Sequence, residues 1–168
     1  MKASYLSKTE SAKLLKKIKD NKYFSNIIDD KVKTVFMIEI EGISIYKIGR
    51  LVLLEKSEVF FPTLKEEFSG RILDNLPYIV VDMGAVSHIA NGADVMRPGV
   101  REVHGELKKN NVLVVRDEKN RKPIAIVKAL VDYEEFNIMV KGKVAENIHY
   151  VNDRIWNFLG EVANLLER

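Results

Sequence analysis

With 168 residues, of which 46% are apolar and 30% charged, the chain has the composition of a folded protein and can bury a core in one or two domains. It contains no cysteine, which excludes disulfides, thiolate metal sites and cysteine nucleophiles. No apolar run approaches the roughly 20 residues of a membrane span, and no apolar signal segment is visible, so a cytoplasmic protein is expected.

The net charge of +3 is unevenly distributed. Residues 1–76 hold 14 Lys and Arg against 11 Asp and Glu, whereas residues 77–168 hold 13 of each. The excess is concentrated near the first predicted helix, at Lys13, Lys16, Lys17, Lys19 and Lys22. A basic stretch favours polyanions such as RNA. A solvated face of an amphipathic helix is the alternative, and the sequence leaves both open.

The first 76 residues predict a helix, an antiparallel meander and a second helix. Ser7 and Glu10 fit a capping box, so the first helix should follow Ser7 and end near Lys19. Alternation and β-branched residues predict a strand at residues 31–40, and apolar segments delimited by turns predict three more, at residues 43–48, 51–54 and 59–61. Apolar residues recur at every fourth position from Leu64, which predicts a helix to about Leu73.

A polar break that ends at Pro77 marks the predicted boundary between two domains, 1–74 and 75–168. Short strands are expected after it, at residues 78–81, 112–116, 123–130, 138–140 and 144–148. One helical turn is expected at 131–136, and a closing helix at 153–166. Short strands separated by turns predict a small closed barrel, which leaves no strand edge exposed.

The segment from Asp82 to Val100 has the most distinctive pattern. It predicts a short helix, a tight turn at residues 91–92, a brief extended piece and a second turn at residues 97–99. Glycine has no Cβ, so the backbone at Gly92 and Gly99 can approach a partner closely. The pattern by itself is equally compatible with glycines that serve only the geometry of the turns.

Three segments resemble the PUA domain, an RNA-binding pseudobarrel named for pseudouridine synthases and archaeosine transglycosylases. They are VDMGA at residues 81–85, GADVMRPGV at residues 92–100 and KGKV at residues 141–144. NIHYVND at residues 147–153, with Trp156, and FPTL at residues 61–64 are similar to the malignant T-cell amplified sequence family of translation-associated proteins and its archaeal homologues.

This resemblance implies an α+β fold. An N-terminal α/β pre-PUA domain, an antiparallel meander with helices, would precede a PUA-type β-pseudobarrel with flanking short helices. It also implies RNA binding in translation, through small-subunit rRNA or tRNA. The small ribosomal subunit and an initiation-factor-like protein are left open as further partners.

The residues that the resemblance places toward RNA are Gly84, His88, Asn91, Gly92, Ala93, Asp94, Arg97, Pro98, Gly99, Lys141 and Lys143. Gly92 would let backbone amides reach an anionic oxygen. Arg97 would pair with phosphate or stack on a base, and the two lysines would supply point charges.

No catalytic, metal or cofactor site is predicted. The histidines at 88, 104 and 149 lack metal-ligand spacing, and Ser87-His88 lacks the surroundings of a nucleophile. His149 is expected to form structural hydrogen bonds near the last helix. Two other functions stay open: a module that docks an initiation-factor-like protein through residues 31–61, and an accessory that presents RNA to a separate modification enzyme.

Overall fold

Helix α1 (Lys8–Lys19) begins where the capping box predicts, in a computed structural model that describes residues 1–168. Ser7 Oγ accepts a hydrogen bond from the Glu10 amide at 3.1 Å, and Glu10 Oε2 accepts one from the Ser7 amide at 2.9 Å. The helix buries one face, which comprises Ser11, Leu14, Leu15 and Ile18.

Helix α1 belongs to the first of two compact units, which comprises residues 1–75 and 162–168. This unit contains a five-stranded antiparallel sheet in the order β1-β2-β3-β4-β5. Its strands are β1 (Lys2–Tyr5), β2 (Phe36–Ile40), β3 (Ile43–Ile48), β4 (Leu51–Lys56) and β5 (Val59–Pro62). The predicted meander is therefore present, and β1 adds an edge strand that the sequence analysis missed.

Three predicted elements, two in this unit and the closing helix of the chain, differ from the structure. The strand predicted at 31–40 begins only at Phe36, because the Lys31 amide binds the Asp29 carboxylate in a turn. The helix predicted at 64–73 is two short helices, α2 (Glu66–Ser69) and α3 (Ile72–Asn75), because Gly70 leaves the helical conformation with φ +56°. The predicted closing helix is also divided, into α6 (Arg154–Glu161) and α7 (Ala163–Leu166), at the non-helical Val162.

The second unit, residues 76–161, contains a six-stranded sheet in the order β7-β11-β10-β9-β6-β8. Its strands are β6 (Tyr78–Val81), β7 (Val95–Met96), β8 (Val100–His104), β9 (Val112–Asp117), β10 (Pro123–Ala129) and β11 (Lys143–Tyr150). Strands β6 and β9 are parallel, and the other neighbours are antiparallel.

The two edges of this sheet, β7 and β8, are joined by a 3₁₀ turn of only three residues, Arg97–Gly99. The sheet must curl to bring its edges this close, which produces the predicted PUA-type pseudobarrel. The barrel is not closed, because β7 and β8 are not hydrogen-bonded to each other.

Two strand predictions in the second unit are wrong. Strand β8 was missed, since charged residues follow its first valine and a bulge shifts its register against β6. No strand forms at 138–140. Ile138 instead ends helix α5 (Tyr133–Ile138), and the side chains of Ile138 and Val140 are 82% and 84% exposed.

The core of the second unit lies inside the curl of the sheet. It includes Ile79, Val81, Val95, Leu113, Val115, Val127 and Phe136. Helix α4 (Met83–Ile89) packs against this core through buried Ile89 and the partly buried Ala85 and Val86. This packing fixes the helix that begins the candidate interface.

The predicted domain limits, 1–74 and 75–168, stay a prediction. The compact units differ from them in grouping residues 162–168 with the first unit. There the Lys47 amino group donates a hydrogen bond to the Arg168 carbonyl oxygen. No helix in either unit combines the length and the apolar character that a membrane crossing requires.

Candidate nucleic-acid interface

Asp82 fixes the start of helix α4. Its Oδ1 accepts a hydrogen bond from the Ala85 amide at 2.8 Å, the usual role of an aspartate at the N-cap. Its other carboxylate oxygen lies 3.2 Å from the guanidinium of Arg101 on β8. The Asp82 amide donates to the Gly99 carbonyl at 2.9 Å, which ties the 3₁₀ turn to the helix.

Gly99 is required for close packing between this turn and α4. A Cβ at position 99 would lie 2.8 Å from the Ala85 Cβ, closer than real carbon atoms approach. The backbone of Gly99 does not adopt a positive φ, so glycine is required here because a side chain would clash sterically, and not because of the backbone conformation. The predicted close approach at this residue is to the protein's own helix.

The turn after α4 uses its amides to cap that helix. The Asn91 and Ala93 amides donate to the His88 carbonyl at 3.1 and 3.0 Å, and the Gly92 amide donates to the Ile89 carbonyl at 3.0 Å. These amides have intramolecular acceptors, and the role toward an anionic oxygen predicted for Gly92 stays a prediction. Gly92 has φ +98°, and a Cβ there would lie 3.0 Å from the Tyr150 ring.

Asn147 on β11 holds this turn in place. Its side-chain Nδ2 donates to the carbonyls of Ile89 and Ala93, both at 3.0 Å. Its backbone amide donates to Asp94 Oδ1 at 2.9 Å. This role of Asn147 was not predicted, although an asparagine inside a predicted strand is a signal because strands disfavour it.

The cations Lys143 and Arg97 have partners within the chain. Lys143 Nζ lies 3.0 Å from Asp94 Oδ2, so the same carboxylate binds both a lysine and the Asn147 amide. The Arg97 guanidinium lies over the Phe136 ring at 3.9 Å, and its Nε donates to the Phe136 carbonyl at 3.0 Å. The predicted roles of Arg97 and Lys143 toward phosphate stay predictions, and both side chains contribute to the fold.

The remaining predicted residues are more accessible. Gly84 and His88 lie on the exposed side of α4, Pro98 lies in the 3₁₀ turn, and Lys141 precedes β11. The side chains of His88 and Lys141 form no salt bridge within the chain. All the predicted residues fall in neighbouring segments: α4, the turn at residues 91–94 (the glycine turn), the 3₁₀ turn, and the start of β11 with the two residues before it.

A buried histidine–aspartate pair lies at the far end of β11. His149 is fully buried, and its Nδ1 lies 2.8 Å from Asp153 Oδ2. Burial alone would raise the pKa of Asp153, but the hydrogen bond and charge of His149 and the amides of Trp156 and Tyr150 lower it below its ordinary value. The structural role predicted for His149 is confirmed.

Comparison with known proteins defines the class. A family model of the PUA domain matches residues 77–151. The crystal structure of a hypothetical protein from Pyrococcus horikoshii has a similar fold, with a TM-score of 0.74 and 25% sequence identity over 94% of this chain and 99% of that one. The chain is therefore a PUA-domain protein.

Two relatives narrow the assignment. An uncharacterised protein of Methanocaldococcus jannaschii is 35% identical over 166 residues, which cover 93% of this chain and 96% of that protein. Translation machinery-associated protein 20 of Eremothecium gossypii is 33% identical over 126 residues, 70% of this chain and 68% of that protein. The chain belongs to the family of PUA-domain proteins that includes translation machinery-associated protein 20 and the malignant T-cell-amplified sequence proteins, as its motifs predicted.

Proposed function

We propose that this chain is a non-catalytic RNA-binding protein that acts in translation, through small-subunit rRNA or tRNA. The observation that carries the proposal is the surface where α4, the glycine turn and β11 meet. Asp94 and Asn147 hold these segments together within a PUA domain. The names of the relatives associate that domain with the translation machinery.

This surface is preorganised for recognition by shape. The carboxylate of Asp94 neutralises Lys143, so the surface has less net positive charge than its lysines suggest. Lys141 and His88 can contact a phosphate or a base without losing an intramolecular partner. Met83 on α4 and Met96 on β7, which are 45% and 46% exposed, provide apolar contact area. We therefore expect few phosphate contacts and a moderate salt dependence.

The experiment titrates tRNA and rRNA fragments with the full chain at several salt concentrations. His88→Ala and Lys141→Glu change the two predicted side chains that the fold does not use, so both variants should fold normally. Lys141→Glu should weaken binding, and the slope of log affinity against log salt should become shallower by about 1. Lys122→Glu, an equal charge change in the exposed loop after β9, is the matched control.

An RNA affinity no greater than that of an unrelated protein of similar charge would contradict the proposal. It would favour the other candidate, a module that docks an initiation-factor-like protein. Equal effects of Lys141→Glu and Lys122→Glu would place the RNA elsewhere. Co-sedimentation with small ribosomal subunits, compared with binding to free tRNA, separates a role in translation from a role as accessory to an RNA-modification enzyme.

A further inference from the structure

A groove lined by lysines lies in the first unit, outside the candidate interface. It has a volume of about 590 Å³ and runs between α1 and the segment before β2. We call it the lysine groove and define it by Lys8, Lys16, Lys19 and Lys33, with Leu15 and Val32 between them. Val32 and Lys33 also line a second hollow of about 300 Å³, together with Tyr5, Lys31, Phe36 and Lys47.

Lysines outnumber carboxylates in the lysine groove. Lys8, Lys16, Lys31 and Lys33 form no salt bridge within the chain. Two carboxylates offset part of this charge: Asp20 lines the groove, and Asp30, which Lys19 contacts at 2.8 Å, also interacts with the charge of Lys33. By contrast, three cations of the second unit, Lys143, Arg101 and Arg121, each lie near a carboxylate. Like charges held together without partners attract a polyanion.

An exposed aromatic ring lies at the edge of this basic surface. Tyr5 on β1 is 70% exposed, and its ring packs on Phe36 with 5.1 Å between the centroids. Both residues line the hollow that adjoins the lysine groove. An exposed tyrosine beside several lysines suits single-stranded RNA, because the ring can stack on a base while the lysines contact the backbone.

We propose that the lysine groove and its adjoining hollow form a second RNA site, in which the lysines bind successive phosphates and Tyr5 stacks on an unpaired base. The proposal rests on the proposed function in taking RNA as the ligand. It adds a contact surface of different character, because this site depends on charge and stacking. Flexible amino groups bind phosphates as point charges, so the site should favour single strands without strong sequence preference.

The test uses the full chain and a single-stranded RNA of mixed sequence. The triple variant Lys8→Ala, Lys16→Ala, Lys33→Ala should lower the RNA affinity by roughly tenfold or more. The slope of log affinity against log salt should become shallower by about 2, which corresponds to the loss of three phosphate contacts. The control triple variant Lys13→Ala, Lys56→Ala, Arg71→Ala removes the same charge from exposed positions outside the groove and should change both quantities much less.

Tyr5 is tested separately. Tyr5→Ala should weaken single-strand binding about tenfold with an unchanged salt slope, and Tyr5→Phe should retain the affinity because stacking needs only the ring. A blunt RNA duplex, which offers no unpaired base, should not distinguish Tyr5→Ala from the wild type. Thermal unfolding followed by circular dichroism checks that every variant is folded.

Equal losses in the two triple variants would overturn the second site. The second site would also be overturned if a poly-glutamate peptide displaced the labelled RNA as well as unlabelled RNA does, while Tyr5→Ala bound RNA normally. The groove would then bind an acidic protein segment. If the wild type binds no RNA, the proposed function fails together with this site. If Lys141→Glu weakens binding and the groove variant does not, only the second site fails.

Discussion

The guanidinium of Arg97 lies 3.9 Å from the centroid of the Phe136 ring, and Arg97 Nε donates a hydrogen bond to the backbone carbonyl oxygen of Phe136. One arginine thus contacts both the side chain and the backbone of α5. A lysine cannot reproduce this arrangement, because it lacks the planar group that stacks and donates at once.

We therefore expect Arg97→Lys to lower the free energy of unfolding by about 1–2 kcal/mol, through loss of the hydrogen bond and the cation–π contact. Urea denaturation measures this change. Arg71→Lys, at an exposed position, is the control and should stay within about 0.5 kcal/mol of the wild type. If Arg97→Lys is as stable as the wild type, the contact with Phe136 contributes nothing to the fold.

Gly92→Ala should destabilise the protein for two separable reasons. The residue has φ +98°, and the added Cβ would meet the Tyr150 ring at 3.0 Å. We expect a loss of about 1–3 kcal/mol in the free energy of unfolding. Gly42 has a similar φ of +82° with nothing within 4 Å, so Gly42→Ala measures the conformational part alone.

The contact with Tyr150 is then isolated by a double-mutant cycle. In a Tyr150→Ala background, Gly92→Ala should cost no more than Gly42→Ala costs in the wild type. An unchanged cost in that background would mean that the ring adapts to the new methyl group, and that backbone strain accounts for the whole effect.

Gly99→Ala should overpack the contact between the 3₁₀ turn and α4. The new Cβ would lie 2.8 Å from the Ala85 Cβ, and overpacking of this kind costs about 1–3 kcal/mol. Combining it with Ala85→Gly should recover part of the loss, because the second change reopens the space. Gly84→Ala is the control on the same helix, since its Cβ would meet Asp82 Oδ1 at an ordinary 3.4 Å.

Asp153 should make the protein sensitive to acid. Its pKa in the folded state is lowered, so the folded protein binds fewer protons than the unfolded chain near the ordinary pKa of about 3.9. Its stabilisation is therefore fully present above that pH and is lost as pH falls through the folded-state pKa. Asp153→Asn should lower the free energy of unfolding at pH 7 by about 1–3 kcal/mol and flatten its fall in acid.

The exposed Asp30 provides the comparison for this titration. The hydrogen bond and charge of Lys19 lower the pKa of Asp30, but this carboxylate is exposed. The effect of Asp30→Asn should be small and should disappear in 1 M salt, whereas that of Asp153→Asn should persist. A pH profile of Asp153→Asn that parallels the wild type would contradict the assignment.

The sequence alone predicts the parts of this fold that depend on local signals. The capping box at Ser7 and Glu10 placed the first helix correctly, and apolar segments delimited by turns placed strands β3 to β5. Strand β1 was missed because its four residues are mostly exposed and carry no alternation. The break at Val162 was missed because periodicity of apolar residues continues across it.

The partners of the candidate site were beyond sequence reasoning for a different reason. Arg97 meets Phe136 across 39 residues, and Asp94 meets Asn147 across 53. Such pairs depend on how the sheet curls, which no local pattern records. The motifs placed the interface residues in one group of segments, but they could not show that Arg97 and Lys143 already have partners within the chain.

The pairing of β7 with β11 also bears on how the protein is made. Strand β7 has β11 as its only neighbour in the sheet, and the turn before it depends on Asn147, so both need residues synthesised much later. Closing such a distant contact is slow compared with forming a local hairpin. On the ribosome, the glycine turn therefore lacks its anchor until β11 has emerged from the exit tunnel. A nascent chain released before that point would carry every residue of α4 and the turn, yet would have no finished interface.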